Sequence, residues 1–291
     1  MLALLWQILL TGLGTGAIYA LLATGFSLIY KETGIINFAQ GEFAMIGAMG
    51  LWTGESRGWG LPWALASALV AAIVVGLLIA RLVMYPARQA KPLTLIFITL
   101  GLDTALRGLA TLIWGVNPVA VNPFWGSGSV HLAGAVLSRQ YLGIFGGAIL
   151  LAGLLYLFLE RTMVGRGMTA AMDNPVAAQL FGMDPFKFSL YTWGLAALIG
   201  AAGGALLAPI TTANANMGLN LGLSGFVGAI IGGIDSLPGA ALGGLLLGVI
   251  NAVTSGFISS AWADGISYLV LFMVLLVRPQ GLLGQSVDHR V

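Results

Sequence analysis

Nine apolar runs follow one another along this chain, with charged or turn-forming residues between them. They occupy 4–29, 35–52, 61–80, 93–114, 141–159, 188–209, 219–234, 239–258 and 266–277. A helix needs about 20 apolar residues to cross the hydrocarbon of a bilayer. Charged residues make up only 8% of the chain and hydrophobic ones 58%, where soluble domains carry about 25% charge. A soluble fold has no means of hiding so much apolar surface. The expectation is an all-α, polytopic membrane protein with a single domain over 1–291. Eight of the runs are read as full spans. The ninth, 219–234, is short enough to be a half-span or re-entrant, and 266–277 is short as well.

The first run exceeds the core of a cleavable signal and lacks a positive start, so it is expected to remain as a span. Basic residues set the orientation. Lys31, Arg81, Arg88, Lys91, Arg161, Arg166, Lys187, Arg278 and Arg290 fall on one side if 219–234 crosses or nearly crosses the membrane. That side is then the cytoplasm, with the N-terminus outside and the C-terminus inside. Arg57 and Arg139 fall outside, and Arg107 lies within a span. Tryptophans 6, 52, 59, 63, 114, 125 and 262 fall mostly near span ends, where interfacial anchors belong.

Small residues recur every four positions in three runs: Gly12, Gly16, Ala20 and Thr24; Ala196, Gly200, Gly204 and Ala208; and Ala240, Gly244, Gly248 and Ala252. Such stripes let helix backbones approach closely. They also suit the lining of a narrow path, and packing is the favoured reading.

The one long polar interruption is 160–187, ERTMVGRGMTAAMDNPVAAQLFGMDPFK. Asn174-Pro175 starts a helix, with Asn as the cap and Pro in the first turn. Val176 to Phe181 follows as a short amphipathic helix, and Gly182 closes it. A short, self-capped helix between two spans suits docking onto a partner outside the bilayer. A plain solvated connector fits the composition equally well.

Much chemistry is excluded. There are no cysteines, hence no disulfides, thiolate metal sites or thiol catalysis. No lysine sits in a Gly-Lys-Ser/Thr context, so no phosphate-binding loop is present. The net charge of +2 gives no argument for nucleic acid. Gly222-Leu223-Ser224-Gly225 resembles the nucleophile motif of rhomboid proteases, but His131 and His289 lie in a loop and a tail. Ser224 is therefore read as capping or packing rather than as a nucleophile.

Polar residues inside the spans are few. Asn37, Gln40 and Glu42 interrupt the second run, between Gly34 and Gly41, which permit a helix break there. A charge at membrane depth costs about 2.5–3.5 kcal/mol, so these residues should face a partner or water. They mark either a solute path or a structural knot. Asp103 and Arg107 stand four apart on one helical face and are read first as a self-neutralising pair. Arg107 facing the path instead would attract a carboxylate. Asp235 sits in a turn between two short runs.

Taken together, these residues resemble the branched-chain amino acid ABC permeases of the LivH type. The resemblance rests on Gly16-Ala17-Ile18-Tyr19-Ala20-Leu21 and Asn37-Phe38-Ala39-Gln40-Gly41-Glu42. It continues through Gly165-Arg166-Gly167-Met168, Asp173-Asn174-Pro175-Val176-Ala177-Ala178 and Gly182-Met183 to Arg278-Pro279-Gln280-Gly281-Leu282-Leu283-Gly284. It implies an ABC importer permease fold, in which this chain pairs with a second, LivM-type permease and two cytoplasmic ATPase subunits. A binding protein would deliver substrate from outside, in a bacterial inner membrane. ATP and Mg would be bound by the ATPases, with no cofactor in this chain. By the same resemblance, Arg166, Asp173, Asn174, Pro175 and Gly182 lie in the segment coupled to the ATPases. Thr169 stands where such proteins often carry a second Arg. A mostly apolar path suits an apolar amino acid, and urea or short amides fit it too. An autonomous secondary transporter using the polar residues of the second and fourth runs is the rival from another class.

Overall fold

The computed structural model describes residues 2–126, 128–132 and 135–284. Arg290 and His289 lie outside the described residues. In chain order the elements are α1 (Leu2–Thr33), α2 (Gln40–Ser56), α3 (Leu61–Ile79), α4 (Tyr85–Ala87) and α5 (Pro92–Trp114). A hairpin of β1 (Ser129–Leu132) and β2 (Ala135–Ser138) follows. Then come α6 (Arg139–Arg161), α7 (Met163–Asp173), α8 (Pro175–Leu180), α9 (Pro185–Thr211), α10 (Met217–Gly232), α11 (Leu237–Phe257) and α12 (Ala263–Val277).

Among the described residues, seven helical stretches are long and apolar enough to cross a membrane. The spans differ from the sequence reading in number and extent: the second run, read as full, is not among the seven, and the last, read as short, is one of them as Ser260–Val277. The second does not begin as helix at 35. Residues 34–39 are an irregular, largely buried connection, and α2 starts at Gln40 and has 17 residues. Helix α10 has 16 residues, about 24 Å at 1.5 Å per residue, short of a hydrocarbon core of about 30 Å. The third run is longer than expected, because a π-helical turn, Ala80–Met84, carries it on to Ala87.

The small-residue stripes explain the packing. Those of α1 and α11 meet each other. A Cβ at Gly12 would lie 2.7 Å from Ala252 Cβ, and one at Gly16 would lie 2.7 Å from the Leu245 carbonyl oxygen. Gly248 in turn faces the Gly16 backbone, and Gly244 faces Ala20. Helix α9 uses its stripe against α2: Gly204 abuts the Ala44 backbone, while Gly47 on α2 abuts Ala201. Without water to drive apolar faces together, this backbone-level contact is what holds membrane helices to one another. Helices α1, α2, α9, α10 and α11 thus form the centre, and α3 closes against α2 and α9. Helix α5 stands at the edge and packs mainly on α2.

Between α5 and α6 the described residues carry pairing of their own. Val119 pairs with Ala213 in an antiparallel bridge, at 2.8 and 2.9 Å. β1 and β2 pair antiparallel, with Ser129 opposite Ser138 and Leu132 opposite Ala135. Gln7 of α1 acts as a third strand would: its Nε2 donates to Val136 O and its Oε1 accepts from Val136 N, both at 2.7 Å. At the other end of the bundle, residues 278–284 fold back onto α10. Leu282 N donates to Ile231 O and Leu283 N to Gly232 O, each at 2.9 Å.

Candidate functional site

Two places bring together the residues singled out by sequence. The first is a polar cluster inside the bundle, where α5 meets α2. Asn37, Gln40 and Glu42 are fully buried, and Asp103 nearly so. Arg107 donates to Asp103 one helical turn away, as the spacing of four required. Its Nε also lies 3.6 Å from Glu42 Oε1 on the neighbouring helix. Asp103 and Arg107 lie about 16 and 22 Å along α5, close to mid-membrane. The pair is thus a triad of two carboxyls and one guanidinium. Both Glu42 oxygens and Arg107 Nε are buried without a hydrogen bond. The cluster sets two acidic side chains against one guanidinium.

Neighbouring glycines make room for these side chains. A Cβ at Gly218 of α10 would lie 2.7 Å from the Glu42 carboxyl carbon, and one at Gly200 of α9 would lie 3.1 Å from Gln40 Nε2. Gln40 Nε2 donates to Ala196 O at 3.0 Å, tying the start of α2 to α9. Asn37 is not in a helix. Its Oδ1 accepts from Ala39 N at 3.2 Å and shapes the 34–39 connection. Thr99 of α5 holds the same connection, accepting from Phe38 N at 3.3 Å and donating to Ile36 O at 3.2 Å. Trp114 Nε1 donates to Thr53 Oγ1 at 2.8 Å. Along one face of α5, Thr99 thus holds the 34–39 connection while Arg107 and Trp114 reach α2. Gly34 has φ +69°, as a break requires. Gly41 lies within the first turn of α2, and its role is close approach to Gly218 and Gly222 of α10.

The second place is the hinge. Thr162 caps α7, accepting from Gly165 N at 2.9 Å. Arg166 is exposed on α7. Asp173 ends that helix and lies 3.9 Å from Lys31 Nζ at the end of α1. Asn174 Oδ1 accepts from Ala177 N at 2.9 Å, and Pro175 opens α8. Gly182, at φ +78°, closes it: its N–H reaches Gln179 O at 2.9 Å, and that of Met183 reaches Ala178 O at 3.0 Å. This is the paired closure that a left-handed residue permits after a helix. The helix turns Val176, Leu180 and Phe181 outward, the last two 84% exposed. Apolar side chains so placed, away from the spans, form a knob fit for a groove on another protein.

Ser224 Oγ donates to Asn220 O at 3.0 Å within α10. Among the described residues no group of three or more His, Cys, Asp or Glu is placed to hold a metal. The sequence reading missed Glu32. At the end of a helix, in Lys31-Glu32-Thr33-Gly34, it resembles an ordinary solvated terminus, and only its neighbours from other helices reveal it as a partly buried acid.

The profile of the family described as branched-chain amino acid transport system / permease component matches residues 8–276. This chain belongs to that permease family. LivH of Escherichia coli, a high-affinity branched-chain amino acid transport system permease protein, is 31% identical over 98% of this chain and 97% of its own length. BraD of Pseudomonas aeruginosa, described in the same terms, is also 31% identical, with the same coverage. A probable LivH of Methanocaldococcus jannaschii is 31% identical over 91% of this permease and 88% of its own length. In fold the permease resembles a chain of PsaBC from Streptococcus pneumoniae, solved in complex with Fab. The TM-score is 0.50 at 14% identity, over 93% of this chain and 91% of that one.

Proposed function

We propose that this permease is one of two membrane subunits of an ATP-driven importer for branched-chain amino acids. The observation that carries the reading is α8, capped at both ends and turning uncovered apolar side chains away from the bundle, in a chain of this family. ATPase subunits dock on it from the cytoplasm and hold the nucleotide and Mg. A related second permease supplies the other half of the path, and an extracytoplasmic binding protein delivers substrate. The N-terminus lies outside and the C-terminus in the cytoplasm of an inner membrane.

Movement of the ATPases presses on α8 and is passed to α7 and α9, which flank it. The Lys31–Asp173 ion pair links the same segment to α1, the helix most central to the packing. The helices then open the path alternately to each side. The polar cluster of Glu42, Asp103 and Arg107 borders that path and answers the charges of a zwitterion.

The test is affinity capture from native membranes in mild detergent. The chain should bring down a second polytopic subunit and ATPases. Leu180→Glu with Phe181→Glu should lose the ATPases and keep the other permease. Capture of this chain alone, with uptake persisting in liposomes without ATP, would replace the importer by a secondary transporter.

A further inference from the structure

Glu32 belongs to neither the polar cluster nor the docking helix. It lines a cleft of about 650 Å³ at the hinge end of the bundle, walled by the end of α1, the turn around Met84–Arg88, the start of α5 and the α8–α9 connection. A second cavity of about 70 Å³, beneath α7 and α8, shares Glu32 and Met183 as walls. The Glu32 Oε2 is buried and receives no hydrogen bond, although the Ser189 and Thr192 hydroxyls lie close to the carboxyl. A buried, unsatisfied carboxylate oxygen costs free energy until a donor reaches it.

The other charges of the cleft can be accounted for. Asp184 is committed, its Oδ1 accepting from Phe186 N at 3.0 Å as the cap of α9. Arg88 is exposed, lies over the Tyr85 ring at 4.1 Å and spends one Nη1 donor on Tyr85 O at 3.0 Å. Its remaining N–H groups have room for an acceptor. Met84, Leu95 and Met183 add apolar wall to the same cleft, as the apolar side chain of a ligand would need. The volume lies in the range of small-molecule sites, about 300–1,000 Å³.

We infer that this cleft binds a free α-amino acid with an apolar side chain, its ammonium on Glu32 and its carboxylate on Arg88. The site is read from its own lining. It rests on the importer reading only in taking such an amino acid to be the transported one. A ligand there ties the α8–α9 connection to the end of α1, so product that accumulates restrains the docking helix.

The chain has no cysteine, so Met183→Cys gives a single label inside the cleft. The full chain is placed in nanodiscs, where both faces are open, and the rate of maleimide labelling is followed. L-leucine should slow labelling, while isovalerate or isoamylamine, each carrying one of the two charges, should not at the same concentration. Loss of one charge-assisted contact weakens binding roughly tenfold or more. Protection should therefore need at least that much more leucine in Glu32→Gln, and again in Arg88→Gln, whose exposed position leaves folding intact. Absence of protection by leucine overturns the site, as does protection that survives both substitutions or is matched by isovalerate alone. Leucine uptake by the assembled transporter is scored separately. Uptake without protection rejects the site and keeps the importer; protection without leucine uptake rejects the importer reading and keeps the site.

Discussion

Replacing Arg107 by Leu separates what the polar cluster does for stability from what it does for transport. The substitution leaves Glu42, fully buried, and Asp103, 6% exposed, side by side without their counter-charge. Removing one member of a buried ion pair costs about 3–5 kcal/mol, and a bare charge at mid-membrane about 2.5–3.5 kcal/mol. The Arg107 side chain keeps 23% of its exposure, so the lower end, about 3 kcal/mol, applies. At roughly 2–4 °C per kcal/mol, that is a fall in Tm of about 6–12 °C. Tryptophan fluorescence during heating in detergent reads it. The neutral triple variant Glu42→Gln, Asp103→Asn, Arg107→Leu then removes the uncompensated charges and should recover at least half of the loss. If the cluster borders the path, uptake stays low in the triple variant even where stability returns. Wild-type uptake there would reduce the cluster to a strut. A Tm for Arg107→Leu within about 2 °C of wild type would refute the charge argument itself.

Substitutions at three further positions probe the packing and the caps. Gly16→Ile forces a side chain into the Leu245 backbone, 2.7 Å from the carbonyl oxygen. It should cost about 1–3 kcal/mol or more and erode the monodisperse peak in size-exclusion chromatography; an unchanged profile would contradict the close α1–α11 approach. Gln7→Ala removes two hydrogen bonds of 2.7 Å from Val136, together worth about 1–3 kcal/mol. Amide exchange in 129–138 should then quicken by at least about fivefold, and unaltered exchange would show that the hairpin stands without α1. Asn174→Ala should weaken α8 by about 1 kcal/mol, with Asn174→Gly closer to wild type. Exchange at the Ala177 amide reports it, and equal rates in all three proteins would deny the cap.

Several features were legible because they depend on residues near one another in sequence. The Asn174 cap, the Gly182 closure and the Asp103–Arg107 pair all follow from spacings of eight residues or fewer. The small-residue stripes were legible as packing surfaces, but not their partners: nothing local says that the stripe of α1 meets that of α11 while that of α9 meets α2. Glu42 shows the same limit. Its expense in a membrane was plain, yet its approach to Arg107 joins α2 to α5 across 65 positions of sequence. The start of α2 was misplaced because 35–39 is apolar enough to continue a span. What ends the helix there is the left-handed Gly34 and the hydrogen bonds of Asn37 and Thr99. Glu32 was missed because burial of a chain-local polar terminus is decided by α9.

The return of residues 278–284 to α10 bears on how the chain is made. The last carbonyls of a helix have no partner within it, and for α10 two of them, at Ile231 and Gly232, are met by the N–H groups of Leu282 and Leu283. Those donors are synthesised about fifty residues later, after α11 and α12. At roughly 5–20 residues per second the ribosome delivers them about 3–10 s after α10 itself. For that interval a short helix waits in or beside the translocation machinery with one end unfinished. Its completion therefore waits on the arrival of α11 and α12.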